Sequence, residues 1–154
     1  MKTIIGAIFG LFFVGQPILA HEGHGIPGSL PAAPHGGFVQ EATHKGTNVH
    51  QGKEEKELFF EAVYKEKKLR IYPLVLLPEN TSHFKALSPR KDLSKVVAKI
   101  ELPRAKKTEP IKIETNDEAI KADFDAKGAN RFIVHIEAEY DKETRLAEIQ
   151  VEPR

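Results

Sequence analysis

The chain reads as an all-β protein: an antiparallel, immunoglobulin-like β-sandwich of about seven or eight strands, preceded by a disordered arm rich in histidine, glycine and proline. Three observations predict it. From Glu57 to the C-terminus, apolar side chains alternate with polar ones at a period of two. Turn-forming residues separate these runs at intervals of about ten residues. Five of the seven histidines and seven of the eleven glycines lie within residues 21–52, ahead of the alternating part.

Residues 1–20 have the layout of an export signal. Lys2 supplies a short positive start and Ile4 to Val14 an apolar stretch, and Ala20 is the small residue that a signal peptidase accepts. The cut is expected between Ala20 and His21. The apolar run is shorter than the roughly 20 residues that a bilayer needs, so no membrane span is expected after cleavage. The chain has no cysteine, so neither a lipoprotein anchor nor a disulfide is available. A periplasmic or secreted protein is the expectation.

Residues 21–34 form the arm. They show no hydrophobic period and are expected to be disordered in isolation. The domain then runs from 35 to 154, with ordered structure entering at Gly36-Gly37-Phe38-Val39. Leu58, Phe60, Ala62 and Tyr64 alternate with Phe59, Glu61 and Val63, and the Lys65-Glu66-Lys67-Lys68 turn leads into Leu69, Ile71, Val75 and Leu77, which reads as a β-hairpin. Pro73 cannot donate to a ladder, which places this second strand at a sheet edge or at a bulge. Pro89 to Val97 is the one helical candidate, with Ser88 as cap and Pro89 at the first position, in competition with a strand reading.

Strands follow at Val96-Leu102, Ile111-Ile113 and Ile120-Phe124. The longest is Phe132 to Tyr140, and after an Asp141-Lys142-Glu143-Thr144 turn Ala147, Ile149 and Val151 close the chain. In each, one face is apolar and the other wet.

Charge narrows the function. Lys2 is the only charged residue in 1–20, so 22 of the 23 basic residues remain in the mature chain against 22 acidic ones. A nucleic-acid binder would show a basic excess, so none is expected. Nucleophilic catalysis finds no foothold either: there is no cysteine, and Ser29, Ser82, Ser88 and Ser94 lack the glycine pattern of a nucleophile elbow.

The arm is the part whose composition asks for chemistry. Imidazole is a common ligand for copper, zinc and nickel, and a chain without cysteine offers such ions nitrogen and carboxylate donors. With cleavage after Ala20, His21 presents an α-amine and an imidazole from one residue, a chelate suited to Cu(II), and His24 lies three residues further on. His35, held by the following Gly36-Gly37, is the third candidate ligand. An inert, solvated spacer is the competing reading of the arm. No C-x-x-C or H-E-x-x-H spacing marks a structural zinc site. His44 and His50 are expected in an exposed loop. His135 is expected on the wet face of the longest strand, with Asp123, Glu148 and Gln150 facing the same way.

Pro34-His35-Gly36-Gly37-Phe38-Val39-Gln40-Glu41, followed by Glu57-Leu58 and by Lys68-Leu69-Arg70-Ile71-Tyr72, resembles the small exported His-rich proteins associated with bacterial heavy-metal efflux systems, and the N-terminal segment of some periplasmic metal-pump adaptor subunits. The likeness spans about residues 21–77 and departs from the family pattern where Glu54-Glu55-Lys56 and Pro73 stand. It implies a periplasmic, metal-linked role, with efflux-pump subunits as partners, and it carries over His35, Gly36 and Gly37 by position. The expectation is therefore a non-enzymatic periplasmic protein that binds or transfers a divalent transition metal, copper foremost, through His21, His24 and His35. The alternative is an envelope structural or interaction module whose arm is an inert tether.

Overall fold

A computed structural model describes residues 30–45, 57–77, 80–103 and 107–153. Within them the chain forms the expected all-β sandwich, two antiparallel sheets around a shared apolar core. The strands, in chain order, are β1 (Phe38–Glu41), β2 (Thr43–His44), β3 (Glu57–Lys65), β4 (Lys68–Leu77), β5 (Asn80–Ala86), β6 (Leu93–Glu101), β7 (Thr108–Pro110), β8 (Glu114–Thr115), β9 (Ile120–Asp123), β10 (Phe132–Tyr140) and β11 (Glu143–Val151). The first sheet runs β1-β3-β4-β9-β8, with β5 also pairing with β4; the second runs β2-β11-β10-β6-β7. The strands number eleven in the described residues rather than seven or eight: the Asn80–Ala86 sequence of β5 is too polar to show an apolar run, the expected Ile111-Ile113 strand is absent, and β2 and the β7 and β8 that flank those residues have only two or three residues each. Runs that short hold too few alternations to show a period.

The chain crosses between the sheets at Ala42, which is buried and donates its N–H to the Leu58 carbonyl at 2.8 Å. Thus β1 joins one sheet and β2 the other. The helical candidate resolves into both of its readings. One turn, Pro89–Asp92, is helical, and the extended backbone of Leu93 ends it and begins β6. At Lys95, with a φ of 50°, β6 carries an extra residue against β10, where the register shifts between Glu137 and Glu139.

Pro73 lies on a buried strand that is neither an edge nor bulged at that point. On one side β4 pairs with β3 throughout; on the other it pairs with β9 over Lys68–Ile71 and with β5 from Leu74. The Pro73 carbonyl points to this second side and accepts from Leu87 N–H at 2.9 Å. Its missing N–H therefore falls where the neighbouring strand changes, and the ladder loses nothing.

Two tight hairpins set the register. Glu66 and Lys67 (φ 52° and 61°) connect β3 to β4, and Asp141 and Lys142 (52° and 68°) connect β10 to β11. Positive φ at both central positions is the type I′ turn, whose twist suits a hairpin but which favours glycine at the second position. Lys142→Gly should therefore raise stability by about 0.5–1 kcal/mol, the left-handed penalty of lysine less the entropy that glycine adds to the unfolded chain. A urea melt checks this, and an unchanged or lower midpoint would refute it.

Between the sheets pack Leu58, Phe60, Ile71, Ile100, Phe132, Val134, Ile136 and Ile149, the apolar sides of the alternating runs. A second, smaller cluster lies on the opposite face of the first sheet, where Phe59, Leu74 and Leu76 are buried with Val39, Tyr72 and Phe84 against them. β3 is consequently buried on both faces from Leu58 to Ala62.

Candidate functional site

Glu61 points to this outer side. It stands opposite Val39 of β1 and Tyr72 of β4, and none of its surface reaches solvent. An ionised carboxylate in such a place needs donors, and His35-Gly36-Gly37 supplies them. The N–H groups of His35 and Gly37 donate to Oε1 at 2.9 and 2.8 Å, and His35 Nδ1 lies 2.9 Å from Oε2.

The two glycines make this possible in different ways. Gly36 takes a φ of 72°, which turns alternate peptide N–H groups toward one point, and its own N–H closes a turn onto the Ala33 carbonyl at 3.1 Å. Gly37 lies against β3 so closely that a Cβ there would sit 2.4 Å from the Ala62 carbonyl oxygen. Any side chain at 37 would push the segment off the sheet and His35 away from Glu61.

The imidazole stacks on Tyr72, with ring centroids 3.7 Å apart and planes 9° from parallel. An ionised carboxylate only accepts, so the tautomer that suits the Oε2 contact carries its ring proton on Nδ1. Nε2 then carries the lone pair, and among the described residues it has no hydrogen-bond partner. The side chain is 39% exposed, so this nitrogen is presented on a ring whose orientation is held by a carboxylate beneath it and a phenol ring beside it. A histidine that donates one ring N–H to a carboxylate is arranged as metal-ligating histidines usually are: the carboxylate selects the tautomer and makes the other nitrogen more basic.

Of the three candidate ligands, His35 is therefore placed at a built position. His21 and His24 lie outside the described residues, as do the export segment with its cleavage point and His50. Among the described residues no group of three or more histidine, cysteine, aspartate or glutamate side chains is arranged to hold a metal ion. Sequence reasoning missed Glu61. Its signal was a carboxylate in the middle of Phe59-Phe60-Glu61-Ala62-Val63, a run that otherwise buries both faces. Tyr72, the last residue of the Lys68-Leu69-Arg70-Ile71-Tyr72 string, is the ring stacked on the imidazole.

Two other histidines sit differently from expectation. His44 is in β2 rather than in an exposed loop. Its Nε2 accepts from the guanidinium of Arg145, which is 6% exposed, and its Nδ1 lies 2.9 Å from Glu143, which also meets Arg145 at 3.2 Å. This cluster fastens the two-residue β2 to β11. His135 does face the wet side of β10, with Nε2 3.0 Å from Glu101 and Nδ1 3.3 Å from Glu148. Asp123, expected beside it, belongs to β9 in the other sheet.

Among the described residues no helix is long and apolar enough to cross a membrane. No protein-family model, curated protein or solved structure matches the chain.

Proposed function

We propose that this is an exported, non-enzymatic protein that binds or hands on a divalent transition metal, Cu(II) foremost, in association with heavy-metal efflux subunits of the envelope. The observation that supports it best is the His35–Glu61 pair, which leaves Nε2 of an oriented imidazole available as a ligand. One imidazole is not a site, and the proposal draws its further donors from the arm. His35 is eleven positions on from His24, a tether of up to about 36–40 Å when extended, ample for His21 and His24 to fold back onto the same ion. A set of nitrogen donors with no thiolate favours Cu(II) over Zn(II).

The interaction-module reading also has an observation in its favour. Glu61 Oε1 binds two backbone N–H groups, which is what a clasp that merely pins the chain entry would do. Calorimetric Cu(II) titration of protein beginning at His21 separates the two. On the metal reading, His35→Ala and the His21→Ala/His24→Ala pair each weaken binding, Glu61→Gln weakens it about 10–100-fold, and affinity falls as pH drops through about 6.5, where ordinary imidazoles protonate. If His35→Ala leaves the affinity untouched, His35 is no ligand. If the unmodified protein binds copper no better than free histidine does, the interaction module is the correct reading.

A further inference from the structure

Further along the outer face of the first sheet lies a groove with a different chemistry. Alternation along β4 puts Lys68 and Arg70 on the same side as Tyr72. Across the ladder Arg70 stands opposite Lys121 of β9, Lys68 opposite Asp123, and Lys121 in turn opposite Glu114 of β8. With Lys112 these side chains line a groove of about 480 Å³.

Like charges directly opposed in an antiparallel pair destabilise the sheet, so the Arg70–Lys121 pair costs the empty fold something. Among the described residues none of Lys68, Arg70, Lys112 and Lys121 is within ion-pair distance of a carboxylate, even though Glu114 and Asp123 share the groove. The neighbouring turn shows the contrast. There Lys67 reaches Asp125 at 2.8 Å, and the ion pair holds that carboxyl below its ordinary range. Four cations against two carboxylates leave the groove with an uncompensated positive charge of two.

We infer that this groove binds a multiply charged oxyanion of the phosphate class. The guanidinium of Arg70 offers a planar pair of N–H donors that fits two oxygens of one phosphoryl group, and the lysines supply point charges around it. A single carboxylate would compete poorly with Glu114 and Asp123, whereas a phosphoryl group brings a second charge and a third oxygen. Its source is either a soluble phosphorylated molecule or a lipid with a phosphomonoester headgroup.

The test uses the mature chain carrying His35→Ala, metal-free, so that no metal-bridged phosphate is counted and the outcome is independent of the His35 reading. Calorimetry with inorganic pyrophosphate and co-sedimentation with vesicles of phosphatidic acid and phosphatidylcholine form the two arms, each repeated with Arg70→Gln/Lys121→Gln. Binding should weaken with salt and drop at least about tenfold in the double variant. The ligand-free melting temperature of that variant should stay level or rise, because the opposed charges are gone. Pyrophosphate binding assigns a soluble ligand, and vesicle binding alone assigns a headgroup. Absence of binding in both arms, or equal binding by the double variant, overturns the inference.

Discussion

Phe132→Ala should lower the unfolding free energy by about 3–5 kcal/mol. The ring is 1% exposed and begins the nine-residue central strand β10 of the second sheet, opposite Val151. It meets Tyr64 of the first sheet edge-on at 5.1 Å and 79°, and Phe124 at 5.0 Å and 63°, so the triad spans the two layers. Tyr64 is itself tied down: its hydroxyl donates to the Phe124 carbonyl at 3.0 Å and accepts from Ala126 N–H at 3.1 Å. With its polar end anchored, that ring cannot slide into the vacated space, and the cavity term is retained in full. Against a total stability of about 5–15 kcal/mol such a loss leaves little fold at ambient temperature. Urea denaturation measures it, with the slope expected to hold while the midpoint falls. A loss below about 1 kcal/mol would mean that the two sheets do not pack through this triad.

Glu61→Ala should cost about 2–4 kcal/mol. The substitution strands the N–H groups of His35 and Gly37 against a buried wall and releases Nδ1 of the imidazole, three contacts of 2.8–2.9 Å made to one carboxylate. Part of that loss is returned, since a desolvated carboxylate is itself expensive to bury, and this return sets the upper end of the range. Amide hydrogen exchange gives a local readout beside the melt. Exchange at His35 and Gly37 should accelerate in the variant while exchange in β10 follows only the global change. Protection at Gly37 that survives the substitution would show that Glu61 is not what holds the segment. Glu61→Gln separates placement from chemistry. Its carbonyl oxygen can still accept the backbone donors, but its amide faces Nδ1 with N–H groups and so favours the other tautomer, turning a protonated Nε2 toward any metal.

Much of the fold was legible because each long strand records its burial in its own residues. Phe132, Val134, Ile136 and Ala138 alternate with half-buried neighbours as their spacing predicts, and Ala147, Ile149 and Val151 alternate with the exposed Glu148 and Gln150 across the Asp141-Lys142 turn. The Lys65 to Lys68 hairpin was equally visible, since a charged turn between two apolar runs is a local signal. His35 with its two glycines could be singled out for a related reason: adjacent glycines before a strand mark a backbone that needs unusual freedom, and Gly36 and Gly37 use it in two distinct ways.

The second neighbour of each strand, by contrast, is set by long-range packing. A period of two states which side of a strand is apolar but not what lies against the other side, so the outer cluster of Phe59, Leu74 and Leu76 and the burial of Glu61 were not to be had from spacing. The same ignorance placed Asp123 beside His135 and Pro73 at an edge, when sheet order puts β9 next to β4 and lets two strands share one flank of it. The acid that orients His35 stands 26 residues away in sequence, and only the pairing of β1 and β4 on either side of β3 brings imidazole, carboxylate and phenol together. Local alternation is written residue by residue along the chain. Strand order is a choice among long-range pairings, made by the packing of the whole domain at once.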